Sequence, residues 1–120
     1  MRNHKNLIVW QKSILLVKRL YEITRTFPKD EQYGITSQMR RAAVSIPSNI
    51  AEGYARCHDR ELLHFLYISL GSASELETQL IICREIDYLS MELFDEMMEK
   101  NGEIIRMLSS LIDKREHIAC

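Results

Sequence analysis

The sequence predicts an all-α fold, an antiparallel up-down four-helix bundle in which residues 1–120 form a single domain. Only four glycines and two prolines occur among the 120 residues, whereas 46% are hydrophobic and 28% are charged. This composition favours helices and lacks the turn residues that a β-protein needs. Hydrophobic residues recur at spacings of three and four along four segments, which are joined by short polar connections. Short connections between long helices imply that neighbouring helices run antiparallel.

The first two helices are predicted at about residues 7–26 and 36–55. Helix 1 should end near Phe27-Pro28, because a residue that precedes proline is pushed out of the α region. Thr36 is a suitable N-cap for helix 2, and Gly53 allows the chain to leave that helix. The apolar residues of helix 1 form two stripes that contain Leu7, Trp10, Ile14, Leu16, Val17, Leu20, Tyr21, Ile23 and Phe27. The inward face of helix 2 is predicted to contain Met39, Ala42, Ala43, Ile46 and Ile50.

Pro47 lies inside the predicted helix 2. A proline there removes the backbone hydrogen bond to the Ala43 carbonyl and costs about 3 kcal/mol unless the site is adapted to it. We expect a local kink, with Ser45, Ser48 and Asn49 close enough to satisfy the freed backbone groups.

Helices 3 and 4 are predicted at about residues 60–87 and 91–114, with Asp59 and Ser90 as their N-caps. Helix 3 has the longest regular seam in the chain, a heptad-like alternation of spacings of four and three. The seam consists of Leu62, Leu66, Ser69, Ala73, Leu76, Leu80 and Cys83. The core face of helix 4 is predicted to contain Leu93, Met97, Ile104, Leu108 and Leu111.

Helix 3 also carries more apolar surface than a lone bundle requires. Between Leu62 and Leu70 every residue except His64 and Ser69 is apolar or tyrosine, and two isoleucines follow at 81–82. A helix that is apolar on more than one face is buried on more than one face. The sequence therefore predicts self-association through this excess surface. The residues assigned to it are Leu63, Phe65, Tyr67 and Ile81.

The two halves of the chain carry opposite charge. Residues 1–60 hold 11 lysines and arginines against 5 aspartates and glutamates, whereas residues 61–120 hold 5 against 12. A basic stripe can contact phosphate groups, so the candidate nucleic-acid contacts are Lys12, Lys18, Arg19, Arg40, Arg41 and Arg56. The alternative is that the basic helix 1 complements the acidic helix 4, its neighbour in an up-down bundle.

A nine-residue segment of helix 2 closely resembles a known family signature; it reads Ser45-Ile46-Pro47-Ser48-Asn49-Ile50-Ala51-Glu52-Gly53. The signature is that of the four-helix-bundle proteins encoded by intervening sequences within bacterial 23S ribosomal RNA genes. The resemblance extends over almost the whole chain, through the segments Val9–Lys12, Phe27-Pro28, Tyr33-Gly34, Gln38–Ala43, Gly71-Ser72 and Glu75-Leu76.

This resemblance implies a four-helix subunit that assembles as a ring-like pentamer and has no established enzymatic activity. A similar bundle is the accessory protein of diversity-generating retroelements, a basic pentamer that binds nucleic acid and works with a reverse transcriptase. The partners that the resemblance implies are therefore further copies of this chain, RNA or DNA, and a nucleic-acid enzyme. The present sequence is more nearly neutral than that accessory protein, with a net charge of −1.

The signature also has a physical interpretation. Small residues form one strip on helix 2 and another halfway along helix 3, and two facing strips permit a close helix crossing. A glycine in mid-helix costs about 1 kcal/mol relative to alanine, so close packing is expected at Gly71. The residues assigned to this motif or to a subunit contact are Arg41, Ser45, Pro47, Asn49, Glu52, Gly53, Gly71 and Glu75.

Candidate catalytic and metal-binding residues are few. Glu61 and His64 form a Glu-x-x-His pair without the second pair that a di-iron bundle needs, and Cys57-His58 has no partners at zinc-ligand spacing. We predict no catalytic residues, no metal site and no cofactor. The three cysteines form no CxxC pair, which favours the cytoplasm, and no membrane segment is predicted. The predicted function is a non-enzymatic, homo-oligomeric protein that binds nucleic acid, and the alternative is a protein–protein adaptor.

Overall fold

The computed structural model describes residues 3–119 and contains four long helices. They are α1 (Ile8–Thr24), α2 (Ile35–Tyr54), α3 (Asp59–Glu85) and α4 (Met91–Ala119). Short 3-10 turns at His4–Asn6 and Lys29–Glu31 precede α1 and α2. Over the described residues there are no strands, so the predicted all-α class is confirmed.

Each helix packs against its neighbours in the sequence, and α1 also packs against α4. This arrangement, in which the first and last helices are also neighbours, is that of the predicted up-down bundle. The molecule measures 46 × 22 × 20 Å. In the part of the chain that the structure describes, no helix has the length and apolar character needed to cross a membrane.

The core follows the predicted periodicity. All seven residues of the α3 seam are completely buried, and the five predicted inward residues of α2 are buried opposite them. Because the seam alternates four and three, it stays on one side of α3 over about six turns, with α2 on one flank and α4 on the other. On α4 the buried face also includes Asn101 and Ile112, which the sequence analysis did not assign to it.

Two of the three predicted helix caps are wrong by one or two residues. Gly34 is the N-cap of α2, so Thr36 lies inside the first turn, buried on the same face as Met39. His58 is the N-cap of α3, and Asp59 is the first helical residue. At α4 the backbone amide of Leu93 donates to the Ser90 hydroxyl at 3.2 Å, which confirms that cap.

Helix α2 continues through Pro47, whose ring is buried. The Asn49 amide donates to both the backbone carbonyl and the hydroxyl of Ser45, at 2.8 Å each. Side-chain hydrogen bonds are therefore present near the proline but, contrary to expectation, they do not satisfy the backbone group that the proline frees. They act on Ser45 and not on the Ala43 carbonyl that the proline leaves without its usual donor.

The two glycines of interest have the opposite roles from those predicted. Gly53 does not mark the exit from α2; it is buried close against α3. A Cβ atom at position 53 would lie 3.0 Å from Phe65 Cβ and 3.2 Å from the Leu62 carbonyl oxygen. Gly71 faces outwards, and a Cβ there would meet nothing within 4 Å. The prediction of close packing around Gly71 within the bundle is therefore wrong.

Candidate nucleic-acid interface and assembly surface

The basic stripe of α1 faces α4. Lys12 Nζ lies 2.9 Å from Glu103 Oε1, and Arg19 forms a two-pronged pair with Glu96, with Nε–Oε2 and Nη2–Oε1 distances of 2.6 and 3.0 Å. Hydrogen bonds from the two cations hold the pKa values of Glu96 and Glu103 below their usual range. These pairs favour the interpretation that α1 complements α4, because both cations already have carboxylate partners.

Arg40 joins α1 to α2. Its guanidinium carbon lies 4.4 Å from the centre of the Tyr21 ring, and its Nε donates to the Thr24 hydroxyl at 3.0 Å. The guanidinium is half-buried, and it covers one face of the tyrosine. Arg40 is therefore held in place before any ligand arrives.

Arg56 lies at the opposite end of α2, more than four helical turns from Arg40. It forms ion pairs with Glu52 at 3.4 Å and Glu61 at 3.9 Å, and its guanidinium lies 5.0 Å from the centre of the Phe65 ring. The two carboxylates offset its charge locally. Arg56 therefore does not extend a continuous basic surface.

Lys18 and Arg41 complete the set of six predicted contacts, and both side chains are exposed. Among residues 3–117, neither makes an ion pair or a side-chain hydrogen bond. Arg41 lines a polar cleft of about 390 Å³ between α2 and α3, and Glu75 lies in the same cleft. These two cations are available to an anionic ligand without breaking a bond in the bundle.

The small-residue strips of α2 and α3 face one another, as predicted. The Ser45 and Ser72 hydroxyls are 2.8 Å apart, and the Ser69 hydroxyl donates to the Ile46 carbonyl at 2.9 Å. Such close polar contacts require short side chains on both helices. Ser45, which also accepts from Asn49, is the centre of this network.

The other charged residues of the signature do not join into one cluster. Glu52 pairs with Arg56 at the end of α2, and Glu75 accepts a hydrogen bond from Gln79, one turn along α3. Only Arg41 and Glu75 share a cleft. The signature residues are therefore mainly structural, whereas the cleft at Arg41 is open to solvent.

The predicted assembly residues divide into two groups. Leu63 is half-buried and packs against the core, while Phe65 lies beneath Gly53 and Arg56, so both serve the packing of the bundle itself. Tyr67 and Ile81 are exposed, at 49% and 44%. Together with their exposed neighbours they form a surface that we call the outer α3 face; its residues are Tyr67, Ile68, Gly71, Ser74, Thr78, Ile81 and Ile82.

A pocket that the sequence analysis did not identify lies where α1, the turn before α2 and the first half of α2 meet. It has a volume of about 520 Å³. We call it the corner pocket; it is lined by Tyr21, Gln32, Tyr33, Ser37, Arg40, Arg41, Val44 and Ser45. The aromatic and basic residues are separated by up to 20 positions in the sequence, so no local motif could have revealed them. The available signal was that two predicted cations, Arg40 and Arg41, lie seven and eight residues after Tyr33.

The candidate reactive groups are not assembled into a site. Cys83 is buried against Met39, with its Sγ 3.4 Å from the methionine sulfur, and burial raises the pKa of the thiol to about 11. Glu61 and His64 are both exposed on the first turns of α3. Over the residues described, no three histidine, cysteine, aspartate or glutamate side chains are grouped so that they could hold a metal ion.

The sequence matches the family of 23S rRNA-intervening sequence proteins over residues 5–110. A crystal structure of a protein of unknown function from the S23 ribosomal protein family of Bacteroides thetaiotaomicron has a similar fold, with a TM-score of 0.83. It is 23% identical, and the alignment covers 88% of this chain and 96% of that one. No curated protein has a matching sequence. Because the family match spans most of the bundle, the signature in α2 included, this chain belongs to the 23S rRNA-intervening sequence protein family.

Proposed function

We propose that this chain is a non-enzymatic, cytoplasmic protein that assembles with copies of itself through the outer α3 face and binds nucleic acid through cations of α1 and α2. The observation that carries the assembly proposal is the exposed apolar surface of α3. Four large apolar side chains, Tyr67, Ile68, Ile81 and Ile82, lie along one side of α3, each 38% exposed or more. They form two pairs, one at each end of a stretch that contains Gly71, Ser74 and Thr78. Exposed apolar patches of this kind mark interaction sites.

Gly71 supports the same proposal. A mid-helix glycine costs about 1 kcal/mol relative to alanine, and nothing within the bundle approaches position 71 closely enough to require it. Gly71, Ser74 and Thr78 leave a shallow strip between the two apolar ends of the outer α3 face. A helix from another copy can approach such a strip closely, as small residues permit at helix crossings.

The double variant Ile68→Glu/Ile81→Glu tests the assembly. We expect the unaltered chain to have a light-scattering mass that is a multiple of 14.1 kDa, a fivefold multiple if the family resemblance extends to stoichiometry. The variant should have the mass of one chain, because two carboxylates would have to be desolvated at the interface. Circular dichroism should show unchanged helix content.

Leu15→Glu is the matched control for this experiment, because Leu15 is 63% exposed on α1 and lies outside the outer α3 face. It should keep the mass of the unaltered chain. A single-chain mass for the unaltered protein at micromolar concentration would contradict the assembly proposal, as would an unchanged mass for the double variant.

The proposed nucleic-acid binding depends on the cations that are not paired with carboxylates of α4, as Lys12 and Arg19 are. Arg40 and Arg41 line the corner pocket at the junction of α1 and α2, and Lys18 lies one helical turn before Tyr21, which lines the same pocket. The residues that line the corner pocket include no aspartate or glutamate. Binding there is expected to depend on salt, since neutralising phosphates releases counterions.

Arg41→Glu is the cleanest test of nucleic-acid binding. Reversing Lys12 or Arg19 would place a carboxylate against Glu103 or Glu96 and would disturb the α1–α4 contact, whereas Arg41 has no such partner in the described chain. We expect Arg41→Glu to weaken binding to RNA at low salt roughly tenfold and to reduce the slope of log K against log salt by about one.

Lys114→Glu is the matched control for Arg41→Glu, with the same change in charge on an exposed side chain of α4. Lys114 lies at the other end of the bundle. The variant should bind RNA with an affinity within roughly twofold of that of the unaltered chain, because Debye screening limits the effect of a distant charge. Equal losses in the two variants would show that binding follows net charge alone. They would contradict a site at the α1–α2 junction.

The second candidate function is a protein–protein adaptor that does not bind nucleic acid. The observation that favours it is the pairing of Lys12 and Arg19 with α4, which removes two of the six predicted phosphate contacts from the free basic surface. An adaptor would keep the assembly at the outer α3 face. It would show no retention on RNA or heparin at low salt.

A further inference from the structure

We propose that the corner pocket is a stacking site for an unpaired base of single-stranded nucleic acid, with Tyr33 as the stacking platform and Arg41 as the contact to the adjoining phosphate. This inference rests on the proposed nucleic-acid binding and specifies the kind of strand and the residues that bind it. The carrying observation is the placement of a nearly bare aromatic ring beside two arginines in a pocket of about 520 Å³.

Tyr33 is the most exposed large apolar residue among those that the structure describes, with 89% of its surface accessible. A buried tyrosine elsewhere in the bundle shows that the fold can cover such a ring; Tyr54 is 5% exposed. An aromatic face left bare at the rim of a pocket is available for stacking, which is worth about 1–3 kcal/mol per base in proteins that bind single strands.

The second aromatic ring in the pocket, Tyr21, shows how a planar group stacks there. Tyr21 is already covered by the Arg40 guanidinium at 4.4 Å, and the hydrogen bond to Thr24 holds that guanidinium in place. The pocket therefore presents one ordered guanidinium–aromatic stack and one free ring. Gln32 and Ser37 add amide and hydroxyl groups, which can pair with the edge of a base.

Cations lie on both sides of this aromatic pair. Arg41 lines the pocket on α2, and helical spacing places Lys18 and Arg25 one turn before and after Tyr21 on α1. Lys18 and Arg25 are about 10 Å apart along the helix axis, given a rise of 1.5 Å per residue. A strand whose base enters the pocket thus meets a positive charge in either direction along its backbone.

Three carboxylates on the segments around the pocket have partners of their own. Glu22 lies 3.9 Å from the Arg19 guanidinium, and Glu31 accepts a hydrogen bond from the Tyr88 hydroxyl at 2.8 Å. Glu75, in the cleft beside Arg41, accepts from Gln79. Arg40 and Arg41 are the charged residues that line the corner pocket, and no carboxylate lines it, which favours an anionic ligand.

Stacking requires a base that is not already stacked in a duplex. A double helix could contact the same cations through its phosphates, but its bases are inaccessible to Tyr33. The pocket consequently predicts a preference for single strands over duplexes at an equal number of phosphates. Both RNA and DNA provide the unpaired base, and contacts to the 2′-hydroxyl alone would separate them.

The test measures fluorescence anisotropy with a labelled ten-nucleotide single-stranded RNA, the DNA strand of the same sequence and the corresponding RNA duplex. We expect Tyr33→Ala to weaken single-strand binding roughly tenfold, since about 1–3 kcal/mol of stacking is lost, and to leave duplex binding unchanged. Tyr33→Phe keeps the ring and should bind single strands like the unaltered protein. Because Tyr33 is exposed, both variants should melt at the same temperature as the parent chain.

The outcomes separate the inference from the function on which it rests. Single-strand binding that is unaffected by Tyr33→Ala, or a Tyr33→Phe variant that binds as weakly as Tyr33→Ala, would overturn the stacking site and leave the proposed nucleic-acid binding intact. Equal losses for single strands and duplex would overturn it as well. Failure of the unaltered protein to bind any of the three probes at low salt would overturn both proposals. A greater affinity for the RNA strand than for DNA would indicate that the 2′-hydroxyl is also read.

Discussion

Leu66→Ala is expected to lower the free energy of unfolding by about 3–5 kcal/mol, because removing a fully buried leucine side chain loses its transfer energy and leaves a cavity. Leu66 is completely buried in the middle of the α3 seam. Both flanks of α3 are held, by α2 on one side and α4 on the other, so the surrounding helices have little freedom to collapse into the space. Urea denaturation followed by circular dichroism would measure the loss.

Leu15→Ala removes the same atoms from a side chain that is 63% exposed. It should change the free energy of unfolding by no more than about 0.5 kcal/mol, as surface substitutions usually do. Both variants are best compared in the Ile68→Glu/Ile81→Glu chain at one protein concentration, so that unfolding is not coupled to dissociation. Similar losses from Leu66→Ala and Leu15→Ala would contradict the assignment of the seam.

Gly53→Val is expected to lower the free energy of unfolding by about 3 kcal/mol, the second largest effect among the variants proposed. This is at the upper end of what overpacking usually costs. Even the first added carbon would lie 3.0 Å from Phe65 Cβ, 3.1 Å from Leu62 Cδ1 and 3.2 Å from the Leu62 carbonyl oxygen. The carbonyl belongs to the backbone of α3, so α2 and α3 would have to separate. Thermal and urea unfolding would both report the loss.

Gly71→Val is the matched control for this clash, since position 71 has open space around it. Valine is a slightly better helix former than glycine. In the Ile68→Glu/Ile81→Glu chain we therefore expect Gly71→Val to raise the free energy of unfolding by roughly a few tenths of a kcal/mol. If Gly53→Val proved as harmless as Gly71→Val, α2 and α3 would not approach one another as closely as the structure indicates.

The two glycines show where sequence reasoning stops. Both lie in helical segments; Gly53 was assigned to the motif as the last residue of the signature, and Gly71 as part of the small-residue strip of helix 3. Periodicity tells which residues share a face of a helix, but it does not tell how closely two helix axes approach at each level. The sequence therefore identified a small-residue crossing between α2 and α3 correctly, whereas the close approach lies at Gly53 and not at Gly71.

For the candidate site, too, the sequence showed which residues are present but not which of them meet. The six cations were visible in the sequence, but Lys12 and Glu103 are 91 positions apart, and only the packing of α1 against α4 brings them to 2.9 Å. The same packing leaves Lys18 and Arg41 without carboxylate partners in the described residues. The corner pocket was likewise invisible, because Tyr21 and Tyr33 come from different segments and have no common motif.

The sequence by itself determined the four helices, their antiparallel order and the buried seam of α3, because hydrophobic spacing is a local property that the chain carries in any context. The tertiary structure alone decided which cations remain available to a ligand, which glycine has no room for a side chain without a shift of its neighbours, and which apolar residues stay in contact with water. Those properties depend on distances between side chains of different helices. Such distances are set by how the four helices pack, a collective result that no single segment encodes.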